Sequence, residues 1–407
     1  MDAVVMIVLL AEAALCLLLL YFDGLLHKPA QLFTAVALVV LAIGIRCLCL
    51  SYETLDYQTF LAHWVTFFRE NGGFSALSQS VGNYNIPYLV FLAAFSYVPM
   101  DDLYLIKLLS ILFDIILAWS AMRLVSHFTS KVNRQLFCFF AVLLLPTVVL
   151  NGALWGQCDS IYAAFAILSV YLALEDRPAM SMVCIAVSFA FKLQAVFVMP
   201  LFLILLITRR VRLWHFLLFP VTYLILCLPA IFAGRPILDT VLLYFNQAGS
   251  VGDGLNYNSP SVYAFRIFGD ASNASLASAL GIAAAALLIL GTAFWFFRKG
   301  GRGSDHAVLA AAALFSVGIP FLLPHMHDRY FFIADIITLC FAVIMPEYFA
   351  LPALCQFASL LGYHAYLKMR YLLPMGYGAV ALIVVLTVLF IFLHAQMSYT
   401  RRRNSRT

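Results

Sequence analysis

The feature that most constrains this chain is the spacing of its apolar runs. Stretches of about 20 hydrophobic residues recur from end to end, parted by short polar breaks. A helix needs roughly that length to cross about 30 Å of hydrocarbon, and in lipid every backbone group must be satisfied within the fold. Candidate crossings lie at 3–21, 32–50, 103–125, 135–150, 160–175, 179–192, 195–208, 213–233, 274–298, 306–323, 330–346, 350–366 and 373–395. Several of these 13 are short, so the expectation is an all-α polytopic membrane protein with about 11–13 transmembrane helices. Charged residues make up 11% of the sequence, against roughly 25% in a soluble domain. A soluble enzyme, a disordered chain and a disulfide scaffold are thereby excluded. The nine cysteines sit mostly inside apolar runs and form no CxxC pair, so they read as small hydrophobes.

The net charge of +5 suggests a nucleic-acid partner only until the basic residues are placed. They cluster between apolar runs: Arg123/Lys131/Arg134, Arg209/Arg210/Arg212, Arg298/Lys299/Arg302, and Arg401 to Arg403 with Arg406. With Lys28 and Arg177, these are 15 of the 24 basic residues. An odd number of crossings puts all of them on one side, which is the cytoplasmic side. No nucleic acid is expected. The N-terminus then lies outside, and the first apolar run, lacking a positive leader and a cleavage site, reads as a retained span. Residues 1–395 form one integral membrane domain and 396–407 a basic cytoplasmic tail. The external side receives 51–102, 151–159, 234–273 and 324–329, so chemistry is expected there. Short loops and the lack of a terminal ER-retention motif point to a bacterial plasma membrane rather than the ER.

The polar residues inside this apolar chain mark the candidate site. The segment Ser51 to Trp64 places Glu53, Asp56 and His63 just beyond the second span. A carboxylate among aromatics at a membrane surface suits general-base work; the alternative is a solvated loop. The segment 83–102, with Tyr84 near its start, reads as an interfacial or re-entrant helix. The turn Asn151 to Ser160 sets Trp155, Gln157 and Asp159 between two apolar runs, either as a sugar-sized pocket or as a capped turn in the aromatic belt. Lys192 and Gln194 interrupt another apolar stretch, where a lysine must snorkel, pair or bind an anion. The loop from Asp253 to Tyr263, with Tyr257 at its centre and Arg266 beyond, has turn-forming and sugar-bonding residue types alike. The turn Pro324 to Tyr330 holds His325, His327, Asp328 and Arg329. It admits a phosphate site, a divalent-cation site or a structural turn, and the fixed fork of Arg329 favours the anion over the cation. Asp114 and Asp335, within spans, are expected to pair in the bundle interior, with Arg46 and Lys107 near span ends.

The order of these motifs resembles that of the GT-C superfamily of polyprenyl-phosphate-sugar-dependent glycosyltransferases. Asp56-Tyr57 followed by His63-Trp64 is similar to the first luminal loop of the dolichol-pathway glucosyltransferases, whose Asp in that context is the proposed base. Tyr84 with Pro87 resembles a degraded Tyr-Pro-Pro, Lys192 with Gln194 a Lys-Gln, and His325 to Arg329 a His-Val-His-Glu-Lys turn with both later charges changed. The Leu-Trp-Gly-Gln-Cys-Asp-Ser turn at 154–160 is closer to prokaryotic mannosyltransferases related to the GPI second-mannose transferase. The resemblance covers roughly residues 50–345; the segment 350–395 matches nothing in it.

It implies a helical bundle with a long first external loop, a polyprenyl-phosphate-linked sugar donor, a glycan or glycolipid acceptor, and transfer with inversion. Asp56 would be catalytic, and Glu53, His63, Tyr84, Trp155, Gln157, Asp159, Lys192, Gln194, Tyr257, His325, His327, Asp328 and Arg329 would bind substrate. No cofactor is expected, and the divalent cation is the disfavoured alternative. Two other classes remain open: a polysaccharide polymerase or ligase using lipid-linked donors, and a lipid-linked sugar flippase. The flippase would show inverted repeats with interrupted helices at the midplane, and no such repeat is visible.

Overall fold

The computed structural model describes residues 3–247, 254–265, 273–301 and 303–404. Asp253, Arg266, Arg302 and Arg406 lie outside the described residues. The chain is helical throughout, with one pair of two-residue strands among the described residues. Among the described residues, seven helices are long and apolar enough to cross a membrane, or eight if one bent pair is counted as a single span. This is an integral membrane protein.

Among the described residues, fewer long apolar helices form than there are apolar runs, in most cases for a local reason. The run at 135–150 breaks into Val132–Leu143 and Pro146–Trp155, bent by 44°. Pro146 opens the second piece; its ring disfavours helical geometry in the residue before it and removes a backbone donor. The run at 195–208 becomes a 3₁₀ turn, Leu193–Phe197, and a seven-residue helix, Leu201–Ile207, separated near Pro200. Asp159–Leu174, Pro178–Phe191 and Phe332–Ile344 are apolar but only 13 to 16 residues long. Phe332–Ile344 is buried along its whole length, so its apolar character reflects protein packing rather than lipid contact.

The chain divides into two compact units, neither continuous in sequence. The first comprises Met1–Leu168, Val183–Leu193 and Leu218–Ser250; the second comprises Ser169–Met182, Gln194–Leu217 and Val251–Thr407.

In the first unit, Asp102–Phe128 is the central helix, 83% of its apolar window being buried, against 28% for Ala3–Phe22 and Pro29–Cys49. The Asp101 carboxylate caps its N-terminus by accepting from the Leu103 amide at 2.9 Å. Ala3–Phe22, Val132–Leu143 and the π-helical turn Leu150–Trp155 pack around it. Its buried polar groups tie the unit together. Lys107 Nζ donates to the carbonyls of Cys49, Leu50 and Tyr52, closing the C-terminal end of Pro29–Cys49 with a cation. Arg46 donates to Asp114 Oδ2 at 2.8 Å and to the Leu143 carbonyl at 2.9 Å, both side chains being fully buried. Ser160 donates its hydroxyl to Asp114 Oδ1 at 2.5 Å.

The 83–102 segment contains Ile86–Phe95, ten residues long and too short to span. It packs against Gly73–Ser78, Ala62–Glu70 and Leu218–Phe232.

In the second unit the central helix is Asp305–Leu322, again with 83% of its window buried. Ser304 caps it by accepting from the Ala307 amide. Ala274–Arg298, Phe332–Ile344 and Gly376–Asn404 surround it, and Ala350–Leu367 packs on the last two. Asp335 accepts from Ser359 at 3.0 Å within this bundle.

Candidate active site

Two polar clusters stand out, one in each unit. The first forms where residues 51–64 meet residues 151–160, about a hundred positions later in the chain. Asp56 sits at the start of a π-helical turn, Tyr57–Leu61, which runs into Ala62–Glu70. Its half-buried carboxylate accepts on Oδ2 from Trp155 Nε1 at 2.9 Å and from Gln157 Nε2 at 3.1 Å. Trp155 is fully buried and Gln157 nearly so. Both depend on the second turn's backbone. The π-helix Leu150–Trp155 ends at Gly156, whose φ of +76° lies in the left-handed region that glycine enters without penalty. The chain then turns so that the Gln157 amide donates to the Asn151 carbonyl at 2.9 Å. Ser110, on the central helix, donates to the Gln157 carbonyl at 2.9 Å. Thr54 donates to the Trp155 carbonyl at 3.2 Å, so the two loops hold each other on both sides of Asp56.

Tyr84 adds a further tier. Its hydroxyl donates to Gln157 Oε1 at 3.1 Å. An amide whose oxygen accepts from Tyr84 must present its NH₂ to Asp56, which fixes the orientation of Gln157. The Tyr84 ring packs edge-on against Trp64 at 5.5 Å and tilted on Tyr88 at 4.7 Å. Lys192 Nζ lies 5.7 Å from the Tyr84 ring centroid. The Lys192 ammonium is paired with Asp159 Oδ1, and Asp159 Oδ2 accepts from Asn151 Nδ2 at 2.7 Å. Asn151 is fully buried and was not singled out by sequence; its place eight residues before Asp159 was the only signal. Tyr57, beside Asp56, has its phenol pushed up to about 12, mainly by burial and then by the carboxylates of Asp101, Asp102 and Glu53. It stays neutral near pH 7 and does not compete for the base role.

Three predicted residues stand apart from this cluster. His63 and Glu53 are exposed, and Glu53 accepts from Gln58 at 3.0 Å on the same turn. Glu53 precedes the π-helical turn and His63 follows it in Ala62–Glu70, and among the described residues no contact with the Asp56 carboxylate joins either to the cluster. Gln194 is buried at the start of the second unit's Gln194–Leu217 segment.

The second cluster is built on a parallel strand pair, β1 (Asn256–Tyr257) and β2 (Met326–His327), in register Asn256 to Met326 and Tyr257 to His327. The pairing stacks the Tyr257 ring on His327 at 4.7 Å and 13° between planes, and Tyr330 packs on His327 at 5.1 Å. His325 takes a φ of +62° and Asn258 one of +58°, conformations that histidine and asparagine adopt more readily than most residues. The His325 amide donates to the Leu255 carbonyl at 2.8 Å, and its Nδ1 lies 2.8 Å from the Gly254 carbonyl. Arg329 Nη1 is 3.6 Å from Asp328 Oδ1. Helix Ala350–Leu367 presses on this turn at Gly362, where a Cβ would lie 2.6 Å from the Asp328 carbonyl and 2.9 Å from that of Asn258. Among the described residues, no group of three or more His, Cys, Asp or Glu side chains is arranged to hold a metal.

No curated protein matches the chain. A family model, glycosyltransferase family 87, matches residues 83–324. The match opens one residue before Tyr84 and closes one residue before His325. It contains Trp155, Gln157, Asp159, Lys192, Gln194 and Tyr257; the His325 to Arg329 turn lies just beyond its end, and Asp56 lies outside it, before its start.

Proposed function

This chain belongs to glycosyltransferase family 87, and from that premise we propose that it moves a hexose, with inversion, from a polyprenyl-phosphate donor to a glycan or glycolipid acceptor at the external membrane face. Mannose is the first sugar to try, on the resemblance to prokaryotic mannosyltransferases. The reading rests on one observation: a half-buried carboxylate, Asp56, held by an indole and an amide at the edge of a membrane bundle. Asp56 takes the proton of an acceptor hydroxyl as that oxygen attacks the anomeric carbon from the face opposite the leaving group. The bond from the anomeric carbon to the phosphate oxygen breaks, and the electron pair leaves with the polyprenyl phosphate. The proposal carries no metal and no organic cofactor.

Purified protein in nanodiscs, offered labelled polyprenyl-phosphate and nucleotide hexoses in parallel, tests it. Asp56-dependent consumption of one polyprenyl-phosphate sugar supports the reading and names the donor. Consumption of a nucleotide sugar instead places the chemistry on the cytoplasmic side and overturns it. Saturable binding without turnover, with every acceptor tried, favours the flippase.

The His325 to Arg329 turn is proposed separately as an anion-binding surface. Arg329 supplies a planar fork suited to phosphate oxygens, whereas the Lys192 charge is already met by Asp159. Arg329→Ala is expected to weaken donor binding by tenfold or more; an unchanged donor Kd removes Arg329 from the site.

A further inference from the structure

At the opposite end of the first unit's helices from Asp56, a second cavity system joins an apolar groove to a basic pocket. Helix Pro29–Cys49 begins beside Lys28 and ends just before the loop that carries Asp56. At 1.5 Å per residue its 21 residues separate the two ends by about 30 Å. The groove, of about 530 Å³, runs between this helix and Val132–Leu143, and Ala30, Thr34, Leu38, Leu136, Phe137 and Phe140 line it. The size falls within the roughly 300–1,000 Å³ of ordinary ligand sites. The adjoining pocket, about 400 Å³, is lined by His27, Lys28, Lys131, Val132 and Arg134, with no acidic residue in its wall. Gln31 and Asn133 line both, so the two adjoin.

Several features agree on what fits. Three cations converge on the pocket, and the N-termini of Pro29–Cys49 and Val132–Leu143 both open there, adding the positive ends of two helix dipoles. The groove below is walled by alanine, leucine and phenylalanine. An occupant must therefore be an anion at one end and a hydrocarbon chain at the other, with amide side chains at the junction to bond ester or glycerol oxygens. Basic pockets between membrane helices attract lipid headgroups by this logic. We propose that this is a binding site for one anionic phospholipid of the surrounding bilayer, its phosphodiester at Lys28, Lys131 and Arg134 and one acyl chain in the groove between Pro29–Cys49 and Val132–Leu143. It is separate from the proposed donor chemistry and does not depend on it.

The test uses the full-length protein in detergent, with native mass spectrometry and thermal unfolding against phosphatidylglycerol, phosphatidylcholine and polyprenyl phosphate. A one-to-one phosphatidylglycerol adduct with a stabilising shift is expected, and phosphatidylcholine should bind at least tenfold more weakly. Lys28→Ala/Lys131→Ala/Arg134→Ala should abolish that preference. Ala141 also lines the groove, and Ala141→Trp, which fills it and keeps every charge, should also weaken the adduct by tenfold or more. Circular dichroism and the lipid-free unfolding temperature confirm that each variant folds. Equal binding of the two phospholipids, or a preference that survives the triple substitution in folded protein, overturns the site. An adduct untouched by Ala141→Trp overturns the groove assignment, and displacement of phosphatidylglycerol by substoichiometric polyprenyl phosphate makes the occupant a carrier lipid instead.

Discussion

The two central helices are buried to the same extent and are built on opposite chemistry. Asp102–Phe128 carries Lys107, Ser110 and Asp114 in its buried face, whereas the buried face of Asp305–Leu322 is alanine-rich, with Ser316 bonding back into its own helix. Lys107, Ser110 and Asp114 each reach a segment that leads into the Asp56 cluster, while the buried Ser120 bonds back to Ile116 of its own helix. Lys107 holds the carbonyls that precede residue 53, Ser110 holds the Gln157 carbonyl, and Asp114 holds Arg46 and Ser160. The second helix packs instead by close approach of small residues, the usual glue where lipid offers no hydrophobic drive between helices. One helix positions the candidate site through polar contacts; the other packs through small residues.

That contrast can be attacked in order of expected effect. Asp56→Asn should cut turnover by about 10²–10⁴-fold, the range of a lost general base, with donor binding and thermal stability unchanged; retention of most of the wild-type rate removes Asp56 from the role. Asp114→Ala leaves Arg46 buried without its counter-charge and should cost about 3–5 kcal/mol in denaturant unfolding. Much of that should return in Arg46→Met/Asp114→Leu, which removes both charges; a single-variant loss under about 1 kcal/mol would deny the polar stitching any weight. In the second unit the sensitive variable should be volume. Gly362→Ala, set against two backbone carbonyls, is expected to cost about 1–3 kcal/mol and to weaken polyprenyl-phosphate binding through the displaced His325 to Arg329 turn. The smallest change is Tyr84→Phe, which deletes one hydrogen bond worth about 0.5–1.5 kcal/mol. It should lower kcat roughly three- to tenfold at constant KM, since Tyr84 acts through Gln157; a rise in KM alone would mean that Tyr84 touches the substrate.

Much of the first cluster was legible because polar residues in an apolar chain are conspicuous. Asp56, Trp155, Gln157, Asp159 and Lys192 stand out in the sequence, and the fold draws all five, with Tyr84, into one network. Their pairing was not legible. Nothing in residue order says that Lys192 meets Asp159, or that the Gln157 amide is fixed by a tyrosine 73 positions earlier. His63 and Glu53 look as promising as Asp56 in one dimension, but Glu53 lies in the non-helical backbone before the π-turn, and the turn's extra residue shifts the register of His63 beyond it in a way a 3.6-residue period does not anticipate. Apolar runs outnumber the long apolar helices for a related reason: hydropathy does not distinguish a residue facing lipid from one facing protein, as Phe332–Ile344 illustrates.

The Arg46–Asp114 pair also bears on how the protein is made. Its members are 68 residues apart in sequence, so at 5–20 residues per second the ribosome delivers Asp114 roughly 3 to 14 s after Arg46. During that interval the second helix holds a guanidinium with no counter-charge, at an insertion cost of about 2.5–3.5 kcal/mol if it stays at depth. Its position three residues from the end of Pro29–Cys49 gives the side chain a short route to the interface while it waits. Arrival of Asp102–Phe128 then draws the arginine inward, and the bond closes only once the helix that anchors the Asp56 and Gln157 loops is in the membrane.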